Sequence, residues 1–153
     1  MVHLRELPKQ LREALVNQEL PDYGDTPWVD PKALNECRVA LISTAGLHPR
    51  EDPPFTPGAG DYRIIPDDYD MSNLVMSHVS TNFDRGGFYR DVNTSFPIDR
   101  LRELTREGVV GSVASRHFSF MGATPPTVME PVARDLVGVL KGDNVDAVVL
   151  VPV

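Results

Sequence analysis

Cysteine is almost missing from this chain of 153 residues: Cys37 stands alone. It cannot form an internal disulfide or a cysteine-built zinc site. No stretch approaches the roughly 20 consecutive apolar residues of a membrane helix, so no membrane span is expected. The amino-terminal MVHLRELPKQL is charged and lacks a secretory apolar region, which leads to the expectation of a cytoplasmic chain. Positive charge is scarce, with 15 Lys and Arg against 22 Asp and Glu. No basic cluster is interleaved with aromatics, so nucleic acid is not an expected partner. A glycine-rich phosphate loop of either common type is absent, which argues against a flavodoxin-like nucleotide binder. The acids of residues 49–72 lack calcium-loop spacing, so no metal site is expected.

What remains is ordinary for a globular protein: 41% hydrophobic and 24% charged residues, enough for one core. Leu4, Leu7, Leu11 and Leu15 recur at helical spacing, and Pro8 argues for a helix start near residue 8. The proline-rich connector that follows, Pro21 to Pro31, holds Trp28, expected as a packing anchor. Residues 1–36 therefore read as a helix and connector ahead of an α/β domain over 37–153.

That domain begins with RVALIS (Arg38–Ser43), a buried parallel strand running into the turn Thr44-Ala45-Gly46-Leu47-His48. Ligands of open α/β sheets bind at strand carboxyl ends, which points to Thr44 and His48 as candidate contacts. Cys37, just before the strand and at the opposite end, reads as a small buried residue. Residues 49–72 are proline-rich and acidic, with only Tyr62–Ile65 extended; such a loop is a lid, binding loop or interaction surface. NLVMSHVS (Asn73–Ser80) alternates as a strand, with His78 at its end and Asp84, Arg85, Arg90 and Asp91 following. A His78–Asp84 pair could orient a base or carry a proton; the alternative is a satisfied histidine among surface ion pairs.

The chain is organised around Asn93–Gly122. Pro97 suits a helix first turn, Ile98, Leu101 and Leu104 form an apolar stripe, and Gly108 is the expected stop. Val109–Phe120 then turns extended, with Phe118 and Phe120 on one face and His117 and Ser119 on the other. Thr127 to Glu130 matches a capping box for a helix over 127–141 whose apolar face runs Val128, Val132, Leu136, Val139, Leu140. Met129 reads as core filler. VDAVVLVPV (Val145–Val153) is the most apolar strand and is expected at the sheet centre. The sum is an α/β fold: an open, mostly parallel sheet with helices on both faces, flavodoxin- or Rossmann-like in its three layers, and incomplete at its carboxyl end.

FPIDRLREL, EGVVGSVA and HFSFMG, in that order, together with VALISTAGLH, DYRIIP and the final DAVVLVPV, resemble the selenoprotein B family of the glycine/sarcosine/betaine/D-proline reductases. The resemblance covers most of residues 38–153. It implies a subunit of an oxidoreductase that reductively cleaves a C–N bond in a small amino compound. Its implied partners are other reductase-complex subunits and a dithiol reductant. It also implies a selenocysteine, or a cysteine in its place, just after Val153, with the chain ending at a recoded UGA codon and inactive alone. His48, His78, Asp84 and His117 are the candidate proton donors or substrate contacts, chosen by strand-end placement. The alternative is a non-catalytic α/β binding or scaffold subunit. The incomplete sheet leaves an edge through which the chain could self-associate.

Overall fold

In the computed structural model, residues 3–17, 21–25, 28–80 and 85–153 are described. Strand β1 (Arg38–Ser43) is the middle of a five-stranded sheet. Along one edge it pairs in parallel with β7 (Ala147–Val151) over its whole length, Val39 facing Ala147 and Ser43 facing Val151. Its other edge is shared by two parallel pieces, β5 (Ser112–Val113) at the amino end and β6 (Arg116–Phe120) at the carboxyl end. Strand β3 (Tyr62–Pro66) closes that side antiparallel to β6. The fold is thus α/β with a mostly parallel sheet, as the sequence pattern leads one to expect. The stretch expected as one strand over Val109–Phe120 is broken at Ala114-Ser115.

Alternate β1 side chains feed two separate cores, because successive residues of a strand point to opposite faces. Val39 and Leu41 join Phe96, Ile98 and Leu101 under helix α3 (Ile98–Arg106). Ile42 joins Phe118, Phe120 and Leu136 under helix α4 (Pro126–Gly142). Burying a Leu or Phe side chain of this kind stabilises by roughly 1.5–3 kcal/mol. The helices therefore lie on both faces.

A second, two-stranded ribbon sits beside the sheet. Strand β2 (Leu47–Pro49) pairs antiparallel with β4 (Leu74–Met76), placing Leu47 opposite Met76. The strand expected over Asn73–Ser80 is therefore only three residues long and belongs to this ribbon rather than to the main sheet. Its alternation is real: Leu74, Met76 and His78 are all buried.

Four further expectations are corrected. Strand β7 lies at the edge of the sheet, not its centre: within the described residues it pairs with β1 alone, and Leu150 is 70% exposed. An apolar run reports the burial a strand favours, not its position in the sheet. Trp28 is 85% exposed and anchors nothing. Helix α4 starts after Pro125 without a side-chain cap, so the Thr127–Glu130 capping box does not form; Glu130 instead pairs with Arg134 one turn on, at 2.6 Å. Pro126 at the first turn needs no donor, which suits that start. The buried face of α4 is also turned slightly, to Met129, Val132, Leu136, Val139 and Leu140, leaving Val128 exposed.

Helix α1 (Lys9–Val16) follows Pro8 and buries none of its residues; Leu11 and Leu15 are exposed. Helix α2 (Gly86–Arg90) is a single short turn ahead of α3. No helix among the described residues is long and apolar enough to cross a membrane.

Candidate functional site

The carboxyl ends of β1, β6 and β7 are tied together by hydrogen bonds that leave the ladder. Thr44 donates its N–H to the Val151 carbonyl at 3.1 Å. Its Oγ1 accepts the Val153 N–H at 2.9 Å. Gly46 donates to the Phe120 carbonyl at 2.8 Å and accepts from Ser77 at 2.9 Å, fastening the ribbon to the sheet. Two glycines make this possible. Gly46 has φ +63°, and a Cβ there would meet the His78 backbone nitrogen at 2.9 Å. Gly122 has φ +82°, and a Cβ there would lie 2.4 Å from the Thr44 carbonyl oxygen. Both positions need the left-handed region and an absent side chain at once.

Two buried serines complete the junction. Ser43 Oγ donates to the Ser95 carbonyl at 2.8 Å and accepts the Ala45 N–H at 3.2 Å. Ser119 Oγ accepts the Leu47 N–H at 2.9 Å. Each satisfies a backbone donor that the turn out of β1 takes away from the ladder. Neither serine was singled out as functional by sequence reasoning; the signal was a polar residue on the apolar face of a strand, in RVALIS and HFSF.

The candidate histidines occupy three different settings. His48 is not in a loop but in the middle of β2, 3% exposed, opposite Val75. Its Nδ1–H donates to the Pro49 carbonyl at 2.7 Å, since a carbonyl can only accept, which leaves Nε2 as the lone-pair atom. The Phe55 ring stands edge-on at 6.3 Å. His78 follows β4 and is buried; its Nδ1 accepts the Ser80 N–H at 3.1 Å. Burial first, and the Arg85 guanidinium second, hold its pKa below the ordinary value. Arg85 Nη2 donates to the carbonyls of both His78 and Ser80. Asp84, the expected partner of His78, lies outside the described residues.

His117 lies in β6 and is fully buried. Its Nδ1 accepts the Leu41 N–H at 3.0 Å, so the proton of the neutral ring is on Nε2. That nitrogen faces Asp67 Oδ1 at 3.7 Å. Asp67 is held in turn by Arg102, whose Nε and Nη2 donate to Oδ1 at 3.2 and 3.0 Å. Burial lowers the His117 pKa to about 4 against the opposing pull of Asp67. Among the described residues, no hydrogen bond or ring contact joins any two of the three histidines. Gly46 and the His78 backbone do meet, at the carboxyl edge of the sheet.

The comparisons with known proteins fit this frame. The family model for glycine/sarcosine/betaine reductase selenoprotein B matches residues 15–153. Among curated proteins, the chain is 35% identical over 123 residues to the D-proline reductase subunit gamma of Acetoanaerobium sticklandii, covering 78% of this chain and 50% of the relative. It is 27% identical over 138 residues to the glycine reductase complex component B subunit gamma of Symbiobacterium thermophilum, covering 86% and 32%. It is 28% identical over 126 residues to the betaine reductase complex component B subunit beta of Peptoclostridium acidaminophilum, covering 78% and 28%. The chain therefore spans half the length of the first of these relatives and about a third of the others. No solved structure matches it. By the extent of the family match, the chain belongs to the glycine/sarcosine/betaine reductase selenoprotein B family.

Proposed function

We propose that this chain is part of a reductase that cleaves a C–N bond of a small amino compound of the glycine, sarcosine, betaine or D-proline type. The nitrogen leaves with the bonding pair and takes a proton, the carbon gains two electrons and a proton, and a dithiol reductant that supplies the two electrons ends as a disulfide. The attacking group must be a soft anion near neutral pH. A thiol of ordinary pKa about 8.5 needs activation for that, whereas a selenol is more acidic. A selenol or thiol following Val153 would supply it, and a neighbouring thiol would resolve the oxidised product by exchange. Cys37 does not fill the role: it is buried, and its Sγ sits 3.7 Å from the Lys32 carbonyl at the amino end of β1.

One observation carries this reading: Thr44 holds Val153 at the carboxyl edge of the sheet, where ligands of open α/β sheets bind. A group attached just beyond Val153 would emerge beside Thr44, two residues ahead of Gly46, which abuts the His78 backbone. His78, with Asp84 close in sequence, is then the foremost candidate proton donor. His48 and His117 remain candidates too, and each of the three histidines has one ring nitrogen already committed. Other reductase-complex subunits, as the names of the relatives suggest, would deliver the substrate and the reductant.

Reading the coding DNA beyond codon 153 tests the first half. An in-frame TGA followed within a few codons by a cysteine codon is the expected result; a different codon without any downstream cysteine overturns it. Assaying the chain with its neighbouring gene products for substrate-dependent dithiol oxidation tests the second. Turnover by the 153-residue chain alone would contradict the proposal that its redox group lies beyond Val153.

The unburied leucines of α1 favour a second reading, a non-catalytic binding or scaffold subunit. Capture of a partner subunit without turnover in any combination would select it.

A further inference from the structure

A cleft of about 610 Å³ opens between β4, α2 and the turn entering α3, apart from the sheet edge described above. Its size falls within the roughly 300–1,000 Å³ of small-molecule sites. Arg50 enters it from the turn after β2, and Arg90 from the end of α2. The backbone under Arg50 is pinned, since its N–H donates to Tyr69 Oη at 2.9 Å. Among the described residues, neither guanidinium has a hydrogen bond or an acidic partner.

Asp91 and Asp99 line the same cleft, but both carboxylates are otherwise engaged. Asp91 Oδ1 accepts the backbone and side-chain N–H groups of Asn93 at 2.9 and 2.8 Å. Asp99 accepts from Asn93 Nδ2 at 3.0 Å and from Arg102 at 3.4 Å. Two arginines are left to face the cleft in a chain of net charge −7. The rest of the wall is mixed: Ser72 and Asn93 are polar, while Phe88 and Tyr89, 5.6 Å apart centroid to centroid, form an apolar part beside Met71.

Guanidinium groups present a planar fork of donors that matches a carboxylate. Aromatic and thioether side chains take an apolar body. We propose that this cleft binds a small monocarboxylate with an apolar body, its carboxylate held by Arg50 and Arg90 and its body against Phe88 and Tyr89. The site is independent of the redox reading, so either can fail without the other.

Titrating the isotope-labelled chain with benzoate, with its neutral isostere benzamide and with inorganic sulfate, followed by amide NMR shifts, tests it. Benzoate is expected to shift the amides of Arg50 and of residues 88–93 and to bind at least tenfold tighter than either control. The double variant Arg50→Ala/Arg90→Ala should lose at least tenfold in benzoate affinity, while Arg50→Lys/Arg90→Lys keeps part of it. Both residues are exposed and, among the described residues, their guanidinium groups are unpaired, so an unchanged spectrum elsewhere will certify the fold. Benzamide or sulfate binding as well as benzoate, or an alanine variant that binds benzoate unchanged, would overturn the proposal.

Discussion

His117, the second residue of β6, lends an imidazole nitrogen to the backbone of Leu41, 3.0 Å away, just past the gap between β5 and β6. A parallel strand running unbroken along β1 would offer a carbonyl at that point. The break removes it, and a side chain supplies the acceptor in its place.

The exchange has a pH signature. The folded-state pKa of His117 is depressed to about 4 from an ordinary 6.5, chiefly by burial. The unfolded chain therefore binds more protons between these values. Stability is full above pH 6.5 and falls as pH drops towards 4, by on the order of 3 kcal/mol if the whole shift is realised. Urea unfolding from pH 7 to pH 4 should show that slope. His117→Asn, whose amide oxygen can replace Nδ1 as acceptor, should flatten it. His117→Leu should flatten it too, but lose about 1–3 kcal/mol at pH 7 by orphaning the Leu41 N–H.

Two glycines in the same backbone region of φ should respond very differently to alanine. Gly122→Ala drives a methyl to 2.4 Å from the Thr44 carbonyl oxygen, so the strand ends must part. Gly58, at φ +77°, has nothing within 4 Å of the added carbon. Gly58→Ala should cost only the backbone term, about 1–2 kcal/mol. Thermal melts of the two variants will show a much larger drop for Gly122→Ala, or none in soluble yield to measure.

Arg85 acts on His78 through charge as well as through its carbonyl. Arg85→Ala should raise the His78 pKa towards, but not to, its ordinary value, because burial is the larger cause. The imidazole carbon-bound proton shifts against pH will read this directly. A pKa that stays put would mean that the guanidinium charge is not felt at the ring.

Trp28 is the sole tryptophan, and it faces water. Its emission should be solvent-like in the native state and barely move on unfolding. Trp28→Ala should change stability by less than about 0.5 kcal/mol, the usual range for surface positions.

The contrast between Trp28 and Leu136 marks where sequence was informative. Helical spacing placed Val132, Leu136, Val139 and Leu140 on the core face of α4 because several neighbours on one face vote together, though it put Val128 there where Met129 belongs. A lone tryptophan between prolines has no such neighbours, and its size alone says nothing of where it packs. RVALIS could be read as a buried parallel strand because every residue of it agrees. VDAVVLVPV gave the right strand and direction but not its place at the edge, since apolar content does not distinguish a covered strand from one whose cover is elsewhere. The stripe of α3 was legible at Ile98 and Leu101, and the turn at Gly46 from its glycine. The split of β5 from β6 was not: no proline or glycine marks Ala114-Ser115, and the acceptor that repairs it, His117, lies two residues past the gap. For the candidate site, strand-end logic placed His78 correctly after a strand but put His48 in a loop. It had no means of seeing that Thr44 grips Val153, a contact between residues 109 apart in the chain.

Strand β7 carries no lysine, proline or bulge within Ala147–Val151 to discourage a neighbour, and offers Val149 on one side and Leu150 on the other. It is a cohesive end. Sulfate, which strengthens apolar contact, should make the chain associate at concentrations where chloride leaves it dispersed. A single Leu150→Lys should abolish that difference in light scattering, which would trace the colloidal behaviour of the whole molecule to five residues at its rim.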